Sequence, residues 1–150
     1  MGILDRFGTI IKANINDLLD KMEDPSKLIE QHLIELRKDL AEVKKETAGV
    51  MAEEQRAKRR FEENQAQVQK YTDFAKAALS AGNDNDARVF IAKKQELEQA
   101  GAALNTAYAV AQENAAKMRQ MYNKLVADID SLTARSAAIK AKVSVAETQN

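Results

Sequence analysis

The sequence predicts an all-α fold: an N-terminal amphipathic helix followed by a long antiparallel coiled-coil helical hairpin. Three observations lead there. Of 150 residues, 45% are hydrophobic and 31% charged, but only 5% are aromatic, with five Gly and one Pro. Such a chain, rich in Ala, Glu, Gln, Lys and Leu and poor in breakers, reads as long helix. Apolar residues recur at alternating steps of four and three, the seam of a coiled coil. The strong breaking signals fall at Asp24-Pro25 and at Ala81-Gly-Asn-Asp-Asn-Asp86.

The first element covers residues 1–24. Ile3, Leu4, Phe7, Ile10, Ile11, Ile15, Leu18, Leu19 and Met22 fall at helical spacing over roughly half of the circumference. Asp5, Arg6, Thr9, Asn16, Asp17 and Asp20 take the other half. Pro25 disfavours helix at Asp24 and suits the first turn of a new helix, with Asp24 as its cap.

The hairpin covers 25–150, with arms at about 25–80 and 86–147 and a tip at 81–86. In the first arm the seam runs from Ile29 through Leu33, Leu36, Leu40 and Val43 to Tyr71, Ala75 and Ala78. Only Thr47, Glu54 and Asn64 interrupt it. Its 3.5-residue period implies a left-handed supercoil. Gly82 suits the end of one helix, and the following Asn and Asp residues suit the start of the next. The second arm repeats the register from Phe90 through Leu97, Tyr108, Met118, Tyr122, Leu125 and Leu132 to Ile139 and Val143. Its exceptions are Lys94, Gly101 and Ser136. Two such seams joined by a short turn fold back on each other, with arms on the order of 80 to 90 Å long. Val89, Ile91, Val110, Met121 and Val126 widen the apolar stripe beyond the seam, so self-assembly is a physical expectation.

Composition narrows the function. Lys+Arg and Asp+Glu balance at 23 each, so no global field attracts nucleic acid. Cysteine is absent, which removes disulfides, thiolate metal sites and cysteine nucleophiles. No segment approaches the roughly 20 consecutive apolar residues of a spanning helix. The N-terminus carries Asp5 and lacks the apolar run of a secretory signal, so the expectation is a cytoplasmic protein.

The opening stretch closely resembles the start of the phage shock protein A family, in Gly2, Arg6-Phe7, Asn14-Ile15-Asn16, Leu18-Leu19 and Glu23-Asp24-Pro25. Leu40-Ala-Glu-Val-Lys, Ala52-Glu-Glu-Gln and Arg59-Arg60 look similar too. So does the tip, with Ala77-Ala78-Leu79, Ala87-Arg88 and Lys93-Lys94. That family includes the vesicle-inducing protein of plastids and is related to the ESCRT-III membrane-remodelling proteins. The resemblance implies a self-assembling membrane protein of the stress response, with anionic lipid and further copies of itself as partners. It implies a place on the inner face of the plasma membrane, or on thylakoid or plastid membranes in a photosynthetic organism. In some members it also implies an AAA+ transcription activator as a restrained partner. Members usually continue with further helices that help lock neighbours in a lattice; at Asn150 this sequence departs from that pattern.

The candidate membrane-binding residues are Ile3, Leu4, Arg6, Phe7, Ile10, Ile11, Lys12, Ile15 and Leu18. Their apolar face suits the headgroup–acyl boundary, and Arg6, Lys12 and the α-amino group favour anionic lipid. Asp17, Asp20, Glu23 and Asp24 reverse the sign further along. The same helix also suits packing on the hairpin or a neighbour, and both hold if a stored helix is released onto lipid. Arg56, Lys58, Arg59 and Arg60, framed by Glu53, Glu54, Glu62 and Glu63, form a candidate oligomer contact; the competing reading is a solvated face with a Glu54–Lys58 pair. His32 has no metal-ligand spacing around it and reads as a helix-surface residue. The Asn83–Asp86 run lacks the downstream Glu of a calcium loop. No cofactor, no metal site and no active site are expected.

Overall fold

The computed structural model describes residues 3–6, 15–20 and 26–149. A 3₁₀ turn, Ile3–Arg6, precedes helix α1, Ile15–Asp20. Two long helices follow, α2 at Ser26–Ser80 and α3 at Asp84–Gln149, and they form the hairpin. The described residues contain no strand.

The turn between the long helices is closed by its own backbone. Asn83 N–H bonds the Ala78 carbonyl at 2.8 Å and Gly82 N–H bonds the Leu79 carbonyl at 3.1 Å. This is the Schellman pattern, which satisfies the last carbonyls of α2. It requires a left-handed residue, and Gly82 supplies it with φ at 75°. Asn83 then caps α3: its Oδ1 accepts from Asp86 N–H at 3.4 Å, and its Nδ2 donates to the Asp86 carboxylate at 2.6 Å. The Asp86 carboxylate thus meets the Asn83 side chain and not its backbone N–H, which is already given to Ala78. The Asn/Asp run is therefore cap and turn.

The chain divides into two units. One comprises Val50–Ala115 and contains the tip. Its buried seam residues are small: Ala57, Ala75 and Ala78 from α2, and Ala87, Ala111 and Ala115 from α3. Larger members such as Phe61, Val68, Tyr71, Phe90, Leu97 and Tyr108 are half-buried, because two helices alone cannot enclose a large side chain. Aromatic rings pair across the seam, Phe61 with Tyr108 at 6.3 Å and Phe74 with Phe90 at 5.3 Å, in tilted geometries. Asn64 is the buried polar side chain, and its Nδ2 donates to the Leu97 carbonyl at 2.9 Å. Gly101 makes the room: a Cβ there would stand 2.5 Å from Asn64 Oδ1.

The other unit comprises Met1–Gly49 with Ala116–Asn150. Here several large side chains are fully enclosed. Ile29 is 1% exposed, and Val43, Met118, Met121, Leu125 and Leu132 are 0%. A third element contributes, since Ile15 of α1 is also buried and Asp20 accepts from Arg135 at 3.1 Å. In α3 the buried face widens to a second stripe that includes Met121 and the half-buried Lys124, Asp128 and Arg135. Tyr122, expected in the seam, is 37% exposed, while Met121 fills the interior. A phenol keeps its hydroxyl near water, and the unbranched thioether adapts to the space.

Gly101→Ala tests the Asn64 arrangement. Alone it gains about 1 kcal/mol of helix propensity but displaces a buried amide from its bond, at a cost of roughly 1–3 kcal/mol. Thermal unfolding is expected to show net destabilisation. In an Asn64→Ala background the same change is expected to stabilise, and an unchanged sign would refute the pairing.

Candidate functional site

Among the expected membrane-binding residues, Phe7, Ile10, Ile11 and Lys12 lie outside the described residues. Ile3, Leu4 and Arg6 fall in the 3₁₀ turn, and Ile15 and Leu18 in α1. Leu4 is half-buried and Ile15 is buried within its unit. Asp17 and Asp20 are exposed, and Asp20 is held by Arg135 of α3. Among the side chains described in this segment, Ile15 is thus the enclosed one, and the acidic Asp5, Asp17 and Asp20 are exposed. Sequence reading named Asp20 but not its partner, because the two stand 115 positions apart.

The basic cluster lies on the exposed face of α2, with Arg56, Lys58, Arg59 and Arg60 all exposed. Local pairing differs from the Glu54–Lys58 expectation. Lys58 lies 3.9 Å from Glu62, and Arg56 bonds Glu53 at 2.7 and 3.0 Å. Glu54 occupies a seam position and is half-buried, which takes it out of the surface ladder. The Arg56 guanidinium holds the Glu53 carboxyl below the usual carboxylate range, slight desolvation opposes it, and Arg60 adds a weaker pull. Arg59 and Arg60 make no ion pair among the described residues, so the outward charge of the cluster rests on them.

Exposed apolar side chains accompany this charge. Around the tip, Leu79 is 55% and Val89 66% exposed, with Phe74 and Ile91 less so. In the other unit, Thr133, Ser136 and Ala137 of α3 are too small to fill the space opposite Leu33 and Ile34. They leave an open groove of about 460 Å³ with Ile34 exposed. A second groove, of about 270 Å³, lies between Lys44 and Thr47 of α2 and Arg119, Tyr122 and Asn123 of α3. Sequence reading flagged Thr47 as a break in the seam but did not find this groove. The half-buried His32 has Nδ1 3.7 Å from Glu35. No group of residues fit to hold a metal occurs among the described residues, and no described helix is long and apolar enough to cross a membrane.

These features belong to an amphipathic lead segment, a two-helix hairpin and apolar surface left over on it. The family model described as PspA/IM30 matches residues 2–150. The chain belongs to the PspA/IM30 family. It is 52% identical over 149 residues to a phage shock protein A homolog of Bacillus subtilis, covering 99% of this chain and 66% of that protein. It is 35% identical over 155 residues to the membrane-associated protein Vipp1 of Synechocystis, covering 99% of this chain and 58% of that protein. Vipp1 of Nostoc punctiforme is 27% identical over 149 residues, with 99% of this chain and 58% of that protein aligned. The PspA/IM30 chain thus spans less than two thirds of the length of these relatives.

Two outcomes follow from the basic cluster. In a side-chain NMR titration, Glu53 is expected to take up its proton below the ordinary Glu range, and Arg56→Gln is expected to move it back towards that range. Because its folded pKa is depressed, any stability from the pair is present above the ordinary Glu range and is lost as pH falls through the folded value. Arg59→Glu with Arg60→Glu is expected to shift the hairpin's stability by no more than about 0.5 kcal/mol, since both side chains are exposed.

Proposed function

We propose that this chain is a self-assembling structural protein that binds the membrane surface through residues 1–24 and remodels or protects the membrane under stress. The observation that carries the proposal is the family match over residues 2–150, with relatives named as membrane-associated protein Vipp1 and phage shock protein A homolog.

Physical chemistry supplies the mechanism. Ile3, Leu4, Phe7, Ile10, Ile11, Ile15 and Leu18 form the inserting face, each fully buried large side chain contributing about 1.5–3 kcal/mol. Arg6, Lys12 and the α-amino group draw this end to anionic headgroups. Burial of Ile15 and the Asp20–Arg135 bond support a stored state of the segment that lipid competes with. Insertion in one leaflet by many neighbouring copies imposes curvature, and exposed Leu79, Val89, Ile34 and Val110 offer surface for copies to cover. Arg56, Lys58, Arg59 and Arg60 act as a contact to an acidic face of a neighbouring copy. The place of action is the inner face of the plasma membrane, or a thylakoid or plastid membrane in a photosynthetic organism. No nucleic acid, cofactor or catalytic step enters this mechanism.

The test is co-sedimentation with anionic and with neutral liposomes, followed by negative-stain imaging. The native chain is expected to bind anionic vesicles and to coat or deform them. Phe7→Asp is expected to abolish that binding with helicity unchanged, and unaltered binding would remove Phe7 from the inserting face. Arg59→Glu with Arg60→Glu is expected to keep lipid binding while losing the coats. Failure of the native chain on every vesicle, with capture of an AAA+ transcription activator through the hairpin, would replace the proposal by a regulatory protein–protein role.

A further inference from the structure

The groove between Lys44 and Arg119 gathers two cations that, like Arg59 and Arg60, make no ion pair among the described residues. Lys44 and Thr47 lie one turn apart on α2, and Arg119, Tyr122 and Asn123 lie one turn apart on α3. All five can donate hydrogen bonds, and no carboxylate lines the groove. Elsewhere on the long helices, Arg56, Lys58, Lys93, Lys94 and Lys124 each have a carboxylate within 4.0 Å. Lys44 and Arg119 have none among the described residues. Their own helices explain this. The positions three and four away from Lys44 are Leu40, Ala41, Thr47 and Ala48, and those from Arg119 are Ala115, Ala116, Tyr122 and Asn123.

Thr47 also lines the groove, with its hydroxyl enclosed rather than turned to solvent. Its Oγ1 is the one buried side-chain polar atom without a hydrogen-bond partner among the described residues. A helical Thr ordinarily bonds back to the carbonyl four residues earlier. Thr72, Thr106 and Thr133 do so, to Val68, Ala102 and Ile129 at 2.7, 3.1 and 2.7 Å. Thr47 makes no such bond, and folded proteins rarely leave a buried hydroxyl unpaired.

We propose that this groove is a phosphate-binding site, with Arg119 and Lys44 meeting the charge and Asn123 and Tyr122 donating to its oxygens. A guanidinium matches two phosphate oxygens at once, and the ammonium adds a point charge. The groove's volume of about 270 Å³ is open to solvent on one side, so a free phosphate or the phosphate of a lipid headgroup meets the same donors. The site lies on the hairpin and needs no insertion of residues 1–24, so it stands or falls separately from the lipid-insertion proposal.

The decisive measurement is equilibrium dialysis of the full chain against radiolabelled orthophosphate at fixed ionic strength. Lys44→Gln with Arg119→Gln is expected to weaken binding by at least about tenfold, since two charge-assisted contacts are lost. Arg88→Gln with Lys93→Gln, which removes the same charge elsewhere, is expected to bind as the native chain does. In a second arm, vesicles containing phosphatidic acid are compared with phosphatidylglycerol vesicles of equal surface charge. A preference for phosphatidic acid that the double variant loses, with no uptake of orthophosphate, would assign the site to a lipid headgroup. Equal behaviour of native and double-variant chains in both arms would overturn the proposal. So would a double variant whose only defect is lost self-association, which would give the groove to an acidic side chain of a second copy.

Discussion

Register is the constraint on which the hairpin depends. A heptad seam nearly repeats itself, so sliding one long helix past the other by seven residues would still set apolar side chains against apolar side chains. Only features that do not repeat can forbid the slip. One is the three-residue connection at the tip, which leaves no slack. The other is the buried Asn64 amide, bonded to the Leu97 carbonyl in the space that Gly101 leaves open. Displaced by a heptad, that amide would face a Cβ and lose its acceptor, and an unbonded buried amide is costly. Two interruptions of the seam, one in each arm, are therefore a single device.

The two units solve the problem of burial differently. Around the tip, Ala is the residue that disappears from solvent, and the larger residues stay half in water. Small seam residues bury little apolar area per layer, so this unit draws more on helix propensity and cross-seam aromatic pairs. In the unit with α1, Ile29, Met118, Met121, Leu125 and Leu132 are fully enclosed. The same unit also takes in α1, where Ile15 is buried and Asp20 binds Arg135.

Much of this was legible in the sequence, because helical periodicity states which face of each helix is apolar. Every register position from Ile29 to Ala78 is buried or half-buried, including the interruptions Thr47, Glu54 and Asn64. Periodicity does not state which residue stands opposite which. Asn64 and Gly101 were visible as separate exceptions, yet their pairing depends on the register set at the tip. The second buried stripe of α3 was hidden for a similar reason: Met121 sits beside the seam, and its enclosure is set by tertiary packing that periodicity does not state. Any of the four Asn and Asp residues after Gly82 has the chemistry of a cap. Asn83 takes the role because the Schellman bonds end at its N–H. The Lys44–Arg119 groove escaped notice because each residue alone reads as an ordinary solvated cation, and only the fold brings the two to one groove.

The self-contained turn at Gly82 and Asn83 also bears on the order in which the chain can form. Closing a loop costs entropy that grows with its length, and the Asn64–Leu97 bond spans 33 positions whereas Asp20–Arg135 spans 115. Formed directly from an open chain, the longer closure would cost only about 1 kcal/mol more than the shorter one, but it would hold nothing else in place. Starting from a capped tip, each layer of the seam brings the next pair together across a gap already closed. The contacts furthest apart in sequence then become the last teeth of a zipper.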